Sequence, residues 1–148
     1  MADGDLVVPD VGAVIDGYRS DMTRSMRVGG TGSGLAADLL VVVLAQAAGL
    51  AVVADGVPAS EVDRVCRSVL VEAGLGEAFS HGTGHGVGLD IHEGPAVAST
   101  ATGSLRSGQV VTVEPGAYVA ELGGVRWEDT VLVTGDGHRP LTGFPKAL

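Results

Sequence analysis

The dipeptide Asp16-Gly17 constrains this chain more tightly than any other short feature, because it separates two β-prone runs within residues 6–26. Asp-Gly is a strong signal for a two-residue hairpin turn. If these two residues make the turn, the numbers of facing residues sum to 33, and Asp21 faces Gly12. Asp10 lies two residues from Gly12 and therefore on the same sheet face. Asp10 and Asp21 become diagonal neighbours, with Cβ atoms about 7–8 Å apart or somewhat less. The glycine opposite Asp21 leaves open space between the two carboxylates. Two like charges held on one face repel each other unless a cation sits between them. A divalent metal meets that need, and two solvent-facing aspartates are the alternative; the hairpin by itself leaves both open. Pro9 removes a ladder donor beside Asp10, which an edge strand tolerates.

Beyond the hairpin, the glycine-rich GGTGSG (29–34) lacks the lysine and spacing of a phosphate loop and reads as a connector. Residues 35–54 read as one helix, and a second is expected over 60–73, with Ser60 as its N-cap and Gly74 as its stop. After the histidine-rich stretch, strands are expected over 110–115, over 124–133 and near 139–141. A hairpin, two helices and then strands argue for an α+β fold with a largely antiparallel sheet.

At 148 residues the chain has about the length of one domain, taken as residues 1–148, and 45% of it is apolar while only 3% is aromatic. An aliphatic core suits those proportions. The net charge is −9 and the basic residues are scattered, which argues against nucleic acid and anionic membrane as partners. Residues 35–54 are long enough to span a bilayer, but they carry Asp38 and Gln46 and have no flanking basic anchor, so a buried core helix is expected. Cys66 is the only cysteine. It reads as a small core residue rather than a nucleophile, and a lone thiol fits a reducing, cytoplasmic setting.

Three of the four histidines, His81, His85 and His92, fall in HGTGHGVGLDIHEGP (81–95). Without a lysine or a phosphate-loop pattern, phosphate cradling is the weakest reading, and glycines flanking His85 would let the backbone pass close to a metal. Glu114 closes the apolar run VVTVE. Glu128 lies in GVRWEDTVLV, with Arg126 on its own face and Asp129 pointing the other way. A glutamate there is near a buried layer, where a lone carboxylate is costly; pairing with Arg126 is the bland solution. Four carboxylates and a histidine cluster together suit hard or borderline divalent ions such as manganese, cobalt or zinc.

The stretches DVGAVIDGYRSDMTR (10–24), HGTGHGVGLDIHEGP (81–95), VVTVEPGAY (110–118) and GGVRWEDTVLVT (123–134) resemble the pita-bread metallo-aminopeptidases and prolidases, most closely the Xaa-Pro aminopeptidase/prolidase branch. The resemblance implies a curved, mainly antiparallel sheet with helices outside it. It implies that Asp10, Asp21, His85, Glu114 and Glu128 hold two divalent ions, with manganese expected and cobalt or zinc as alternatives, and that Asp21 and Glu128 bridge them. His92 would stabilise the oxyanion, and His81 would shape the substrate pocket. Glu114 would carry the proton from the attacking water to the leaving nitrogen. Arg126 would steady Glu128, and Tyr118 would belong to the same outer layer. The substrate implied is a peptide with proline at its second position.

The family's catalytic domain begins upstream of the DVGA aspartate, so the first half of the fold is expected to be incomplete, without a further pocket histidine. Three readings follow. One is a working Xaa-Pro peptidase, with a second subunit of a homo-oligomer covering the exposed face. Another is a pseudoenzyme that binds metal or peptide without turnover. The last is a fragment or mis-started reading frame that associates through uncovered sheet edges.

Overall fold

The computed structural model describes residues 1–29 and 35–146, with the side chains of 35–38 excepted, so the expected connector lies outside the described residues apart from Gly29. The hairpin forms as three short ladders. β1 (Leu6–Val7) pairs with β6 (Met26–Arg27), β2 (Asp10–Val11) with β5 (Met22–Thr23), and β3 (Val14–Ile15) with β4 (Tyr18–Arg19). Leu6 faces Arg27, Asp10 faces Thr23 and Ile15 faces Tyr18, so the expected register runs unbroken along both arms. Asp16 and Gly17 carry φ of 51° and 88°, the left-handed pair that a two-residue turn of this kind requires. Pro9 keeps half of its ladder pair: its carbonyl accepts the Arg24 N–H at 3.1 Å, and only the reciprocal donor is lost.

Helix α1 spans Leu35–Val52 and α2 spans Ala59–Glu72. The expected Ser60 cap is not used. α2 starts one residue earlier behind Pro58, which makes no side-chain cap, because the Gly103 carbonyl already takes the first free N–H, that of Ala59, at 3.0 Å. Gly74 does end the helix. The Gly74 N–H reaches the Val71 carbonyl and the Leu75 N–H the Leu70 carbonyl, the paired bonds of a Schellman cap.

Within the histidine-rich stretch His85 lies in a strand, while His92 sits in the bend that leads to the next one. β7 (Gly84–Gly86) pairs with β8 (Glu93–Val97) and with β9 (Val110–Val113). The rest of the chain supplies β10 (Gly116–Val119), β11 (Gly123–Arg126), β12 (Asp129–Val133) and β13 (His138–Pro140). An antiparallel five-stranded sheet runs in the order β13-β12-β9-β7-β8, while β10 and β11 form a separate ribbon. The stretch 124–133, expected as one strand, is thus broken at Trp127 and Glu128. Its first half pairs with β10 and its second with β9, so the chain changes sheets between them.

Two aliphatic clusters hold the helices to the strands. One joins Leu50, Val62 and Cys66 to Val97, Val111 and Val131; the other joins Val42, Ala45 and Leu70 to Phe79, Val125 and Trp127. Cys66 is a core residue as expected, and burial pushes its thiol up to about 12, which leaves it unreactive. Among the described residues, no helix is long and apolar enough to cross a membrane. Gln46 instead lies buried, its amide pointing at Asp129 across 3.0 Å.

The glycines beside His85 serve the sheet. A Cβ at Gly84 would overlap the Thr112 carbonyl oxygen on one neighbouring strand, and one at Gly86 would overlap the Gly94 carbonyl oxygen on the other. Close strand approach, rather than passage beside an ion, accounts for both. Gly84→Ala should therefore destabilise the fold by about 1–3 kcal/mol. Gly135→Ala, at a position with open space around it, should leave the urea unfolding midpoint unchanged.

Candidate metal centre

Four stretches of chain bring side chains together. Asp21 sits where the second arm of the hairpin enters β5, and His85 is the middle residue of β7. Glu114 follows β9, and Glu128 occupies the change of sheets between β11 and β12. The hairpin is docked onto this junction by its backbone. The Glu128 N–H donates to the Thr23 carbonyl at 3.1 Å, and the Thr130 hydroxyl donates to the Asp21 carbonyl at 2.7 Å. As a result Asp21, His85 and Glu128 offer ligand atoms that all lie within 4.8 Å of one another. The His85 Nε2 is 3.1 Å from Glu114 Oε1 and 3.7 Å from Asp21 Oδ2.

Asp10 stands apart from that group. Its carboxylate is half exposed and ion-paired to the Arg126 guanidinium, which also lies 3.9 Å from Glu114 Oε2. The expected direct pairing of Arg126 with Glu128 is relayed instead: Arg126 Nε donates to the Thr23 hydroxyl at 3.0 Å, and that hydroxyl donates to Glu128 Oε2 at 2.5 Å. The His92 ring meets the His85 ring edge-on, with centroids 4.2 Å apart. The His81 Nε2 lies 3.0 Å from the Tyr118 hydroxyl, which receives a long bond from Arg126. His81, His85, His92, Glu114 and Arg126 line a cavity of about 310 Å³.

Residues 1–135 match the sequence pattern of metallopeptidase family M24. The chain belongs to that family. It is 43% identical over 145 residues to an Xaa-Pro dipeptidase of Pyrococcus horikoshii, covering 98% of this chain and 41% of that protein. A prolidase structure from Pyrococcus furiosus superposes with a TM-score of 0.93 at 41% identity, covering 97% of this chain and 43% of that one. An Xaa-Pro dipeptidase structure from Bacillus anthracis gives a TM-score of 0.95 at 42% identity, covering 99% and 41%. The fold is therefore the α+β pita-bread fold of these prolidases, and the chain spans about two fifths of the length of the relatives it matches.

Family membership brings divalent metal with it, and the residues present suit a cation. Glu128 is 1% exposed, and its Oε1 has no hydrogen-bond partner among the described residues. Burial, reinforced by the charges of Glu114 and Asp21, pushes its carboxyl up to about 8, against the bond from Thr23. Burial also raises Asp21, with Asp10 adding to it. Glu114 moves the other way: burial opposes its charge, but the hydrogen bond and charge of His85 outweigh that and hold it low. His85 in turn is raised, because contact with Glu114 overcomes its own burial. In the metal-free centre both the His85 ring and the more distant Arg126 guanidinium favour an ionised Glu114, while Glu128 Oε1 has no partner among the described residues.

Two threonines were not anticipated from the sequence. Thr112 donates to Glu114 Oε1 at 3.0 Å and accepts the His85 N–H at 3.0 Å, while Thr23 bonds Glu128. Each lies two residues from an acidic residue already singled out, Thr112 from Glu114 and Thr23 from Asp21. The two-residue period of strands would have placed both on the faces of those carboxylates.

A buried, unmatched carboxylate has a testable cost in chelator. Below about pH 4.5 Glu128 is protonated whether the chain is folded or not. Above that, the unfolded chain loses the proton while the folded chain keeps it, so stability falls with rising pH until about pH 8. Glu128→Gln should flatten that decline and raise the stability of the metal-free chain at pH 8 by about 1–3 kcal/mol, read from urea unfolding across pH.

Proposed function

We propose that this chain carries a two-metal centre that hydrolyses the bond before proline in Xaa-Pro peptides. Asp10, Asp21, His85, Glu114 and Glu128 would hold the ions. The observation that carries the reading is the convergence of Asp21, His85 and Glu128 around an orphaned buried oxygen, in a family of metallopeptidases. Manganese is the expected metal, with cobalt or zinc as alternatives that the mixed oxygen and imidazole donors also suit. When bound, such a pair supplies Lewis acidity and makes a nearby water a stronger nucleophile at neutral pH.

The chain's own groups do the remaining work. Glu114, held ionised by His85 and Thr112, accepts the proton of the attacking water and delivers it to the departing proline nitrogen. His92, packed against His85 at the cavity, donates to the carbonyl oxygen as negative charge builds on it. His81, fixed by Tyr118, forms the cavity wall against which the substrate lies. Arg126 restrains Asp10 and, through Thr23, Glu128, so that neither carboxylate collapses away from the other. The half-exposed Asp10 favours one alternative, a module that binds metal or peptide without turnover. The partner in the main reading is a peptide with proline second, a homo-oligomer would shield the open side of the cavity, and buried unpaired Cys66 suits the cytoplasm.

With Mn²⁺ or Co²⁺ the protein should cleave an Xaa-Pro dipeptide and not the corresponding Xaa-Ala dipeptide. His92→Ala should lower kcat/KM by roughly 10²–10³-fold. Calorimetry should find its metal affinity unchanged. Stoichiometric metal binding without any turnover of Xaa-Pro substrates would overturn hydrolysis and leave the binding module.

Metal should also stabilise the fold. At about 100 times its Kd, Mn²⁺ should add about 2.7 kcal/mol to the unfolding free energy. Glu128→Gln should lose most of that gain in a thermal melt.

A further inference from the structure

The candidate centre does not account for a second buried polar cluster behind it. Asp63, on α2, is fully buried and charged in an otherwise aliphatic helix face. Arg67, one turn on, grips it with two bonds of 3.0 Å each, from Nε and Nη2. Neither group stops there. Arg67 donates to the carbonyl of Phe79 at 2.9 Å and to that of His81 at 3.0 Å, with its guanidinium lying over the Phe79 ring at 4.2 Å. Asp63 Oδ1 accepts from the N–H and the hydroxyl of Thr83, at 3.2 and 2.9 Å. The Phe79 ring meets the His81 imidazole edge-on, with centroids 5.0 Å apart.

Apart from the two bonds between Arg67 and Asp63, every one of these hydrogen bonds ends on the five-residue stretch that carries His81. Among the described residues, the backbone of segment 79–83 is tied to the sheet by the Glu114 N–H, which donates to the Thr83 carbonyl at 2.7 Å, and that bond fixes its far end only. Its near end is held by α2. A buried ion pair is poor value as a stabiliser, since two apolar side chains would fill the same space at less desolvation cost. A planar guanidinium that binds a carboxylate and two carbonyls at once sets a direction, which lysine or an apolar residue cannot do.

We infer that Asp63 and Arg67 are positioning residues for His81: they clamp segment 79–83 so that the imidazole stands against Tyr118 at the wall of the candidate centre. This rests on the hydrolase reading above only for its kinetic arm. The Gly82 carbonyl, 2.7 Å from His81 Nδ1, can only accept, so the clamped neutral imidazole carries its proton on Nδ1 and accepts the hydrogen bond of the Tyr118 hydroxyl at Nε2.

The test is a double-mutant cycle with a spectroscopic arm. Arg67→Lys keeps a cation beside Asp63, so the chain stays folded, but loses the fork. It should lower kcat/KM for an Xaa-Pro dipeptide roughly tenfold in the wild-type background. In a His81→Ala background the same change should cost less than about twofold. Equal losses in both backgrounds would overturn the inference and leave a merely structural ion pair. The imidazole ¹⁵N shifts of His81, measured in the metal-free protein, do not depend on turnover. The wild type should show the single Nδ1–H tautomer and Arg67→Lys an averaged pair. Unchanged shifts in Arg67→Lys would sink the proposal even where the hydrolase reading stands. Altered shifts in a protein without Xaa-Pro turnover would sustain the clamp and remove the hydrolase.

Discussion

Everything about this structure turns on the mutual repulsion of carboxylates gathered on one side of a sheet. Asp21, Glu114 and Glu128 come from three separate stretches of chain, and Asp10 adds its charge from the rim. Left to themselves, such groups would point to water. What prevents it is strand pairing beside each of them, together with a hydroxyl or guanidinium on three, Thr112 for Glu114, Thr23 for Glu128 and Arg126 for Asp10, and a backbone N–H, that of Met22, for Asp21. The fold therefore stores an electrostatic cost that a bound cation would relieve, and His85 relieves only part of it in the metal-free chain.

The strand change at Trp127 and Glu128 shows how one short stretch serves both chemistry and stability. Glu128 faces Asp21 and His85, and its successor Asp129 faces the opposite side, as strand alternation demands. There Asp129 is buried with Arg24 at 2.7 Å, and Gln46 and Lys146 complete its shell, which holds its carboxyl below the usual range against its burial. Arg24 also donates to the carbonyls of Thr23 and Glu128 and lies over the Trp127 ring at 4.8 Å. A matched carboxylate thus anchors the backbone from which the unmatched one projects.

The parts of this arrangement that could be read from the sequence are those set by local rules. The register of the hairpin follows from its turn, because a left-handed residue pair allows only one pairing of the arms, and so the nearness of Asp10 to Asp21 was legible before any fold was known. The proposed ligand set came from family resemblance, not from spacing. The break at residues 127–128 was not legible, since it depends on which distant strand each half meets, β10 or β9. The start of α2 was misplaced for the same reason: its first donor is satisfied by Gly103, far along the chain. Asp63 and Arg67 could have been recognised as a helical i, i+4 pair, but nothing in that spacing says that their remaining bonds belong to residues 79–83.

That difference explains where this chain spends buried charge. A hydrophobic contact is indifferent to direction, and the two aliphatic clusters hold helices and strands together without specifying the angle of any one side chain. Direction comes from hydrogen bonds with few allowed geometries. Besides Glu128, the buried carboxylates of the described residues are paired at two places where backbone is held at a set angle, Asp129 with Arg24 behind Glu128, and Asp63 with the partly exposed Arg67 behind His81. Replacing either pair by apolar residues would cost little in burial. It would remove the forked donors that help set which way the adjoining loop faces.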